Sequence, residues 1–494
     1  MFTQNILECI KHSLFTYANR NAFFIKGEYY TYGQLANTVA AIRDAIHARA
    51  PQNKCVGLVI EDELETYASI IALWMDGMCY VPLHPEWPLE RCEGIIDQVG
   101  IDLVLDSGEK TRYHKVDVLE SKRIENKALC QNTDYIKDIP DTDLAYILFT
   151  SGSTGVPKGV PISRGNLSAF VEAFWDMGFD ITEEDRVLQC FDLSFDLSVM
   201  SYLIPLLRGA CAYTVPYNEV KYTYSYTLME DYELTVALMA PSTITYLKPY
   251  FDEINLPKLR YSLFCGEALY EDITLEWAKC IPNAAIFNVY GPTEDTIFCT
   301  YYQVNRNGVN KTHNGVLSIG KTMSSGCVTV LNEQGEEAGC EEQGELGLFG
   351  HQLFTEYWKN HEKTRDSFIV AADGKKYYKS GDVCYRDSDG DIMYCGRKDH
   401  QVKIQGFRVE LGEIEFHANQ HLGKKTVCIA YDNAYSLTEI ALFVESVETD
   451  TKDLYEYLKS QMPDYMIPSK ILFCEKFPLN INGKIDRKVL KNML

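Results

Sequence analysis

The sequence is short of positive charge. Its 494 residues carry 47 Lys and Arg against 70 Asp and Glu, a formal net charge of −23. So acidic a chain repels a phosphate backbone, and nucleic acid is not an expected partner. No run approaches the roughly 20 apolar residues that span a bilayer, so no membrane insertion is expected. The start, MFTQNILECIKHSL, has no basic segment followed by an apolar block, and no secretory leader is read there. Cysteine is plentiful at 16, but the thiols are scattered and no C-x-x-C spacing occurs. A cytoplasmic setting with reduced thiols is therefore expected. The composition is otherwise ordinary for a folded protein, 46% hydrophobic and 24% charged. The length predicts two or more domains and a large core. The acid is unevenly spread, because beyond Asp399 the two signs nearly balance.

Against these absences stands one stretch of small residues. Tyr146 to Phe149 is an apolar, aromatic run that reads as a buried strand. It empties into Thr150, Ser151, Gly152, Ser153, Thr154 and Gly155, followed by Lys158. Small residues leave backbone N–H groups and hydroxyls open, and glycine permits the positive φ that a concave anion nest needs. A lysine beside the nest adds a point charge for phosphate oxygens. The common nucleotide loop G-x-x-x-x-G-K-[ST] does not fit, because Gly159 follows the lysine. Downstream, Ser163 is placed to cap a helix carrying Leu167, Phe170, Val171 and Phe174. Its positive end would favour a bound anion.

The remainder alternates strands and helices, which argues for α/β layers. Val56 to Ile60 and Tyr80 to Leu83 read as extended, while Ala36 to Ala50 and Glu65 to Met75 carry apolar residues at helical period. Residues 191–200 read Phe-Asp-Leu-Ser-Phe-Asp-Leu-Ser-Val-Met, so either Asp192 or Asp196 sits in an apolar run. A carboxylate there needs a partner, because burying it alone is costly. Tyr261 to Phe264 and Ala284 to Tyr290 read as strands ending in Cys265-Gly266-Glu267 and Tyr290-Gly291-Pro292-Thr293-Glu294. Strand ends opening into such turns are where α/β sheets bind ligands. Asn288 offers an amide edge suited to adenine, Tyr290 a flat face, Thr293 a hydroxyl for phosphate, and Glu294 a hard oxygen for Mg²⁺. Asp382 ends another strand, and Asn482-Gly483 is a turn signal presenting Lys484.

LFTSGSTGVPKGV resembles the phosphate-loop signature of the adenylate-forming superfamily, which includes acyl-CoA ligases, luciferases and amino-acid adenylation domains. N-x-Y-G-P-T-E resembles the nucleotide motif of the same superfamily. YTYGQL, CYVPLHPEWP, GELGL, YKSGD, GRKDHQVKIQGFRVE and NGK stand where its other motifs stand, so the likeness covers nearly the whole chain. It implies an α/β multidomain fold. Residues 1–398 would form a large domain of layered α/β sheets with a small β-barrel-like subdomain, and 399–494 a small mobile α+β domain. It further implies two half-reactions: a carboxylate attacks the α-phosphorus of Mg·ATP, and a phosphopantetheine thiol then attacks the acyl adenylate.

By that resemblance Asp382 takes the ribose hydroxyls, with Arg397 also on the nucleotide. Lys484 is the catalytic lysine, Asp399 the hinge, and Gly406 a lining of the thiol tunnel, although Gly406 also reads simply as a hairpin glycine. The superfamily pattern selects Asp196 over Asp192 as the partner of a substrate ammonium, which favours an amino acid; a helix cap is the plainer reading. The side-chain pocket would be lined by Leu197, Met200, Leu238, Leu263, Cys265, Gly266, Val289, Ile297 and Phe298, predominantly apolar and small. F-D-L-S-V-M with L-F-C-G-E is similar to D-alanine–D-alanyl carrier protein ligases, in which the pocket cysteine bears on D-alanine selection; Cys265 reads equally as a small buried hydrophobe. The chain stops soon after Lys484, so a separate phosphopantetheinylated carrier protein is expected, docking on basic residues such as Lys424 and Lys425. Alternatives are a stand-alone adenylation enzyme for another small neutral or apolar amino acid, an acyl- or aryl-CoA ligase, and a non-catalytic ATP-binding protein.

Overall fold

The structure is a computed structural model and describes residues 1–124, 136–137, 139–152, 155–399, 401–447, 451–479 and 485–494. The chain divides into two compact units. The larger comprises Met1–Pro85, Ile96–Leu148 and Gly159–Lys398, the smaller Glu86–Ile95, Phe149–Lys158 and Asp399–Leu494.

Among the described residues the larger unit is built on sheets of nine, six and five strands. In the nine-stranded sheet Cys211–Thr214, Arg186–Gln189, Val236–Met239, Tyr261–Phe264 and Ala285–Tyr290 run parallel in that spatial order. The six-stranded sheet centres on Cys55–Val59 and Cys79–Leu83, each buried at every residue. Continuous apolar runs are what parallel strands covered on both faces require. Two helices supply cover. Leu64–Met75 is buried at all positions but Glu65, and Asp196–Leu206 at every position. A helix apolar all round belongs inside. The Tyr80 and Tyr202 hydroxyls meet at 3.2 Å, tying the six-stranded sheet to the helix Asp196–Leu206. That helix packs on Arg186–Gln189 and Cys211–Thr214 of the larger sheet.

The expected capping serine is in place. Ser163 accepts from the Asn166 N–H at 3.1 Å while the Asn166 side chain accepts from the Ser163 N–H at 2.9 Å, opening the helix Arg164–Asp176. The third sheet is antiparallel, with Gly344–Gly350 and Lys376–Arg386 at its centre. In the smaller unit, Gln405 and Gly406 turn a hairpin of Gln401–Ile404 and Phe407–Glu410. The helices Leu411–Leu422 and Thr451–Gln461 share a core with the strands Thr426–Asp432 and Thr438–Glu445. The architecture is the layered α/β fold with a small α+β unit that the sequence implied. Among the described residues no helix is long and apolar enough to cross a membrane.

Candidate active site

Strand register puts Leu238, Leu263, Cys265 and Val289 of the expected pocket on one face of the sheet. Leu238 pairs with Leu263, and Leu263 with Phe287, across three parallel strands. Side chains alternate along a strand, so Cys265 and Val289 continue that face at the carboxyl ends, while Asn288 and Tyr290 point to the other. Leu197, Met200, Leu238, Leu263, Cys265, Val289, Ile297 and Phe298 all belong to one contiguous apolar core. Gly266 follows Cys265 at φ +96°.

One charge stands among them. Asp196 is the first residue of its helix, 5% exposed, and its Oδ2 accepts the Ile297 N–H at 3.2 Å. The two aspartates of the Phe-Asp repeat have different partners. Asp192 is engaged by Ser194, whose N–H and hydroxyl donate to it at 2.8 and 2.5 Å, and by His84 Nε2 at 2.7 Å. Burial works to raise the Asp192 carboxyl, but the His84 charge and hydrogen bond outweigh it and hold the group well below the usual carboxylate range. Asp196 meets the turn at Ile297. That turn is strained, since Thr296 and Ile297 have φ of +49° and +75°, rare for β-branched residues. Gln352, 1% exposed, holds it. Its Nε2 reaches the carbonyls of Asp295, Thr296 and Phe298 at 3.3, 3.2 and 2.9 Å, and its own carbonyl accepts from the Thr296 hydroxyl. Nothing local in Gly-His-Gln-Leu-Phe signals this role.

The other face of the strand Ala285–Tyr290 carries the polar groups. Asn288 Nδ2 donates to Ser318 O at 2.9 Å, leaving its amide oxygen for other donors. The Tyr290 hydroxyl donates to Asp382 Oδ2, and Arg397 Nη1 donates to Asp382 Oδ1 at 2.9 Å. Each carboxylate oxygen keeps a second lone pair. Asp382 and Arg397 are register partners across two antiparallel strands. Burial and the Asp382 charge push the Tyr290 phenol well up. Gly291 is required by a close approach, since a Cβ there would stand 2.4 Å from Phe298 Cα. After Pro292, Thr293–Asp295 form a short 3-10 turn. Within it Glu294 is fully enclosed and accepts from the Tyr357 hydroxyl at 2.7 Å. Its neighbour Asp295 is pushed up to about 7, first by burial and also by the Glu294 charge.

The phosphate-loop residues fall in the smaller unit. A Cβ on Gly152 would lie 2.1 Å from Val156 O, so only glycine fits, and Gly155 N–H closes the turn onto Gly152 O at 3.0 Å. The donors of this loop meet acidic groups. Gly152 N–H donates to Glu413 Oε2 at 2.9 Å, and Lys158 Nζ lies 3.1 Å from Glu410 Oε1. Ser151 Oγ donates to Arg408 O and accepts the Glu410 N–H, both at 3.0 Å. The loop thus already holds carboxylate oxygens, and the Thr150 hydroxyl is buried with no hydrogen-bond partner among the described residues. Asp399 Oδ1 accepts the Gln401 N–H at 3.2 Å. Ser153, Thr154 and Lys484 lie outside the described residues.

Among the described residues no group of three or more His, Cys, Asp or Glu is gathered to hold a metal. Mg²⁺ carried on a nucleotide needs only one or two carboxylates, because phosphates and water complete its shell. Glu294 is a donor of that kind.

The chain resembles known proteins over most of its length. The family model described as "AMP-binding enzyme" matches residues 10–358. Gramicidin S synthase 1 of Brevibacillus brevis is 30% identical over 96% of this chain, which spans only 43% of that relative. D-alanine–D-alanyl carrier protein ligase of Lactiplantibacillus plantarum is 30% identical over 98% of both chains. Among solved structures, the Vibrio cholerae adenylation domain AlmE in complex with glycyl-adenosine-5'-phosphate superposes with a TM-score of 0.86 at 27% identity, covering 98% of this chain and 97% of that one.

Proposed function

The chain belongs to the AMP-binding enzyme family, and from that premise we propose that it activates a small amino acid, D-alanine in the first instance, as its adenylate and passes it to a carrier-protein thiol. The observation that carries this reading is Asp196, a carboxylate only 5% exposed that reaches the Ile297 N–H beside the apolar residues named for the pocket. Its partner in the loaded site is the substrate α-ammonium. Fatty and aryl acids have no such group, so the acyl- and aryl-CoA ligase reading is disfavoured. The apolar lining penalises a charged side chain, and Met200, Val289 and Phe298 keep the space small.

Chemically, the substrate carboxylate is already ionised at neutral pH and needs no general base. The protein's task is positioning and charge stabilisation. In this reading Asn288, Tyr290, Gly291 and Pro292 receive the base, Asp382 and Arg397 the ribose, and Thr293 a phosphate oxygen. Glu294 takes the Mg²⁺ that arrives with ATP. Thr150, Ser151, Gly152, Ser153, Thr154, Gly155 and Lys158 receive the leaving phosphates, which displace the Glu410 and Glu413 carboxylates. Lys484 neutralises the substrate carboxylate and the α-phosphate. Thiol transfer then uses Asp399 as pivot and Gly406 as tunnel lining, and such closures can limit turnover.

The likeness to D-alanine–D-alanyl carrier protein ligase over the full length of both chains supports a separate carrier partner. The equal identity to gramicidin S synthase 1 supports the second reading, a peptide-synthetase-type adenylation enzyme for another small neutral amino acid. The test is loading. Radiolabelled D-alanine, ATP and a phosphopantetheinylated carrier protein should give a hydroxylamine-labile thioester on the carrier. Label that reaches free coenzyme A but no carrier would defeat the proposal.

A further inference from the structure

A cavity of about 720 Å³ opens in the larger unit, away from the candidate site. Its lining includes Cys55, Cys79 and Leu144, each the first residue of a parallel strand, and Asp102, which directly precedes another. It therefore sits at the amino edge of the six-stranded sheet, whereas the pocket and nucleotide residues stand at carboxyl ends. Lys54 and Asp143, paired at 2.7 Å, and Trp358 complete its wall.

Cys55 and Cys79 are direct register partners on adjacent strands, and their sulfurs lie 3.1 Å apart. Adjacent strands run about 4.8 Å apart, within the Cα separation that a disulfide spans. Closing the bond needs a sulfur shift of only about 1 Å. Both thiols are free and nearly buried, at 5% and 2% exposure, yet both face the cavity, which gives a small solute its approach. Among the described residues no third His, Cys, Asp or Glu joins them to make a metal site. The two sulfurs are unequal. The Cys79 S–H donates to Cys55, which lowers the Cys55 thiol, while the same bond together with burial raises Cys79. One thiol is thus prepared as nucleophile and the other as the group that resolves it.

We propose that Cys55 and Cys79 form a reversible dithiol–disulfide site, oxidised by a hydroperoxide that enters through this cavity. The Cys55 thiolate attacks a peroxide oxygen, forming S–O and breaking O–O, and the leaving oxygen departs as water or alcohol after protonation. The Cys79 sulfur then attacks Cys55, forming S–S and breaking S–O, and its proton leaves with the second water. Two thiols are oxidised by two electrons and one peroxide is reduced. A small dithiol reverses the step by thiol–disulfide exchange, ending as its own disulfide. The site lies close to the catalytic elements along the chain. Trp358 lines the cavity, and the hydroxyl of its neighbour Tyr357 is bonded to Glu294.

The test uses the full chain. After treatment with hydrogen peroxide, alkylation under denaturing conditions and non-reducing digestion, the Cys55 and Cys79 peptides should appear joined, lighter by two hydrogens than their reduced sum. Dithiothreitol should restore two alkylatable thiols. In Cys79→Ser, Cys55 should instead stop as a sulfenic acid trapped by a cyclic 1,3-dione. Full alkylation of both cysteines after oxidation, or their recovery only in bonds to other cysteines, would overturn the proposal.

Discussion

Replacing Asp196 with asparagine isolates the charge on which amino-acid recognition is argued to rest. The carboxylate is 5% exposed and accepts the Ile297 N–H. Asparagine keeps an oxygen for that N–H, so the strained turn at Thr296 and Ile297 retains its anchor and the fold should survive. What is lost is the counter-charge for a buried ammonium. Removing one partner of a buried ion pair costs about 3–5 kcal/mol. At about 1.4 kcal/mol per tenfold, kcat/KM for the amino acid should fall by about 10³-fold. ATP–pyrophosphate exchange measures this directly, with alanine compared against propionate, the same acid without its amino group. The wild type should prefer alanine strongly, and Asp196→Asn should lose most of that preference while melting near the wild-type temperature. A fall of less than about tenfold with the preference intact would refute the reasoning.

Three further perturbations address other parts of the account. Lys484→Ala should slow adenylate formation by on the order of 10²-fold or more in single-turnover assays. Thioester transfer from preformed aminoacyl adenylate should change far less. Gln352→Leu leaves three buried carbonyls without the donor that ties the 295–298 turn, a cost on the order of 3 kcal/mol. Calorimetry should show a lower melting temperature, and the amino-acid KM should rise while the ATP KM holds. Asp295 tests linkage. Its folded pKa, raised to about 7, exceeds the unfolded value, so the folded chain holds the proton longer. Stability is therefore greatest below about pH 4 for this group and declines as pH rises to 7, by on the order of 4 kcal/mol. Asp295→Asn should flatten the change in melting temperature between pH 5 and 8 and stabilise the protein at the upper end.

Local patterns carried much of the fold. Tyr146 to Phe149 announced its strand by a continuous apolar run, and Ser163 its helix as a cap ahead of apolar residues at helical spacing. Strand ends at Cys265 and Tyr290 were legible because each β-rich run meets a glycine turn. The pocket residues were named by resemblance, and register explains why Leu238, Leu263, Cys265 and Val289 share a face. The rest was hidden because it depends on residues far apart in sequence. Asp192 and Asp196 have nearly identical sequence neighbours, while their partners His84 and Ile297 are distant in the chain. Gln352 and Tyr357 bond to the 294–298 segment across more than 50 positions. The carboxylates of Glu410 and Glu413 on the phosphate loop lie more than 250 residues from their partners. The Cys55 and Cys79 thiols, 24 residues apart, show no C-x-x-C spacing and meet only through strand register.

The central claim is that this chain makes an aminoacyl adenylate from a small zwitterion. Exchange of radiolabelled pyrophosphate into ATP, run with each common amino acid and both enantiomers of alanine, tests it most directly. The account predicts exchange dependent on a small neutral amino acid, with D-alanine foremost. Exchange driven by another small residue would move the specificity alone. Exchange driven only by acids that lack an amino group, or by none at all, would contradict the account.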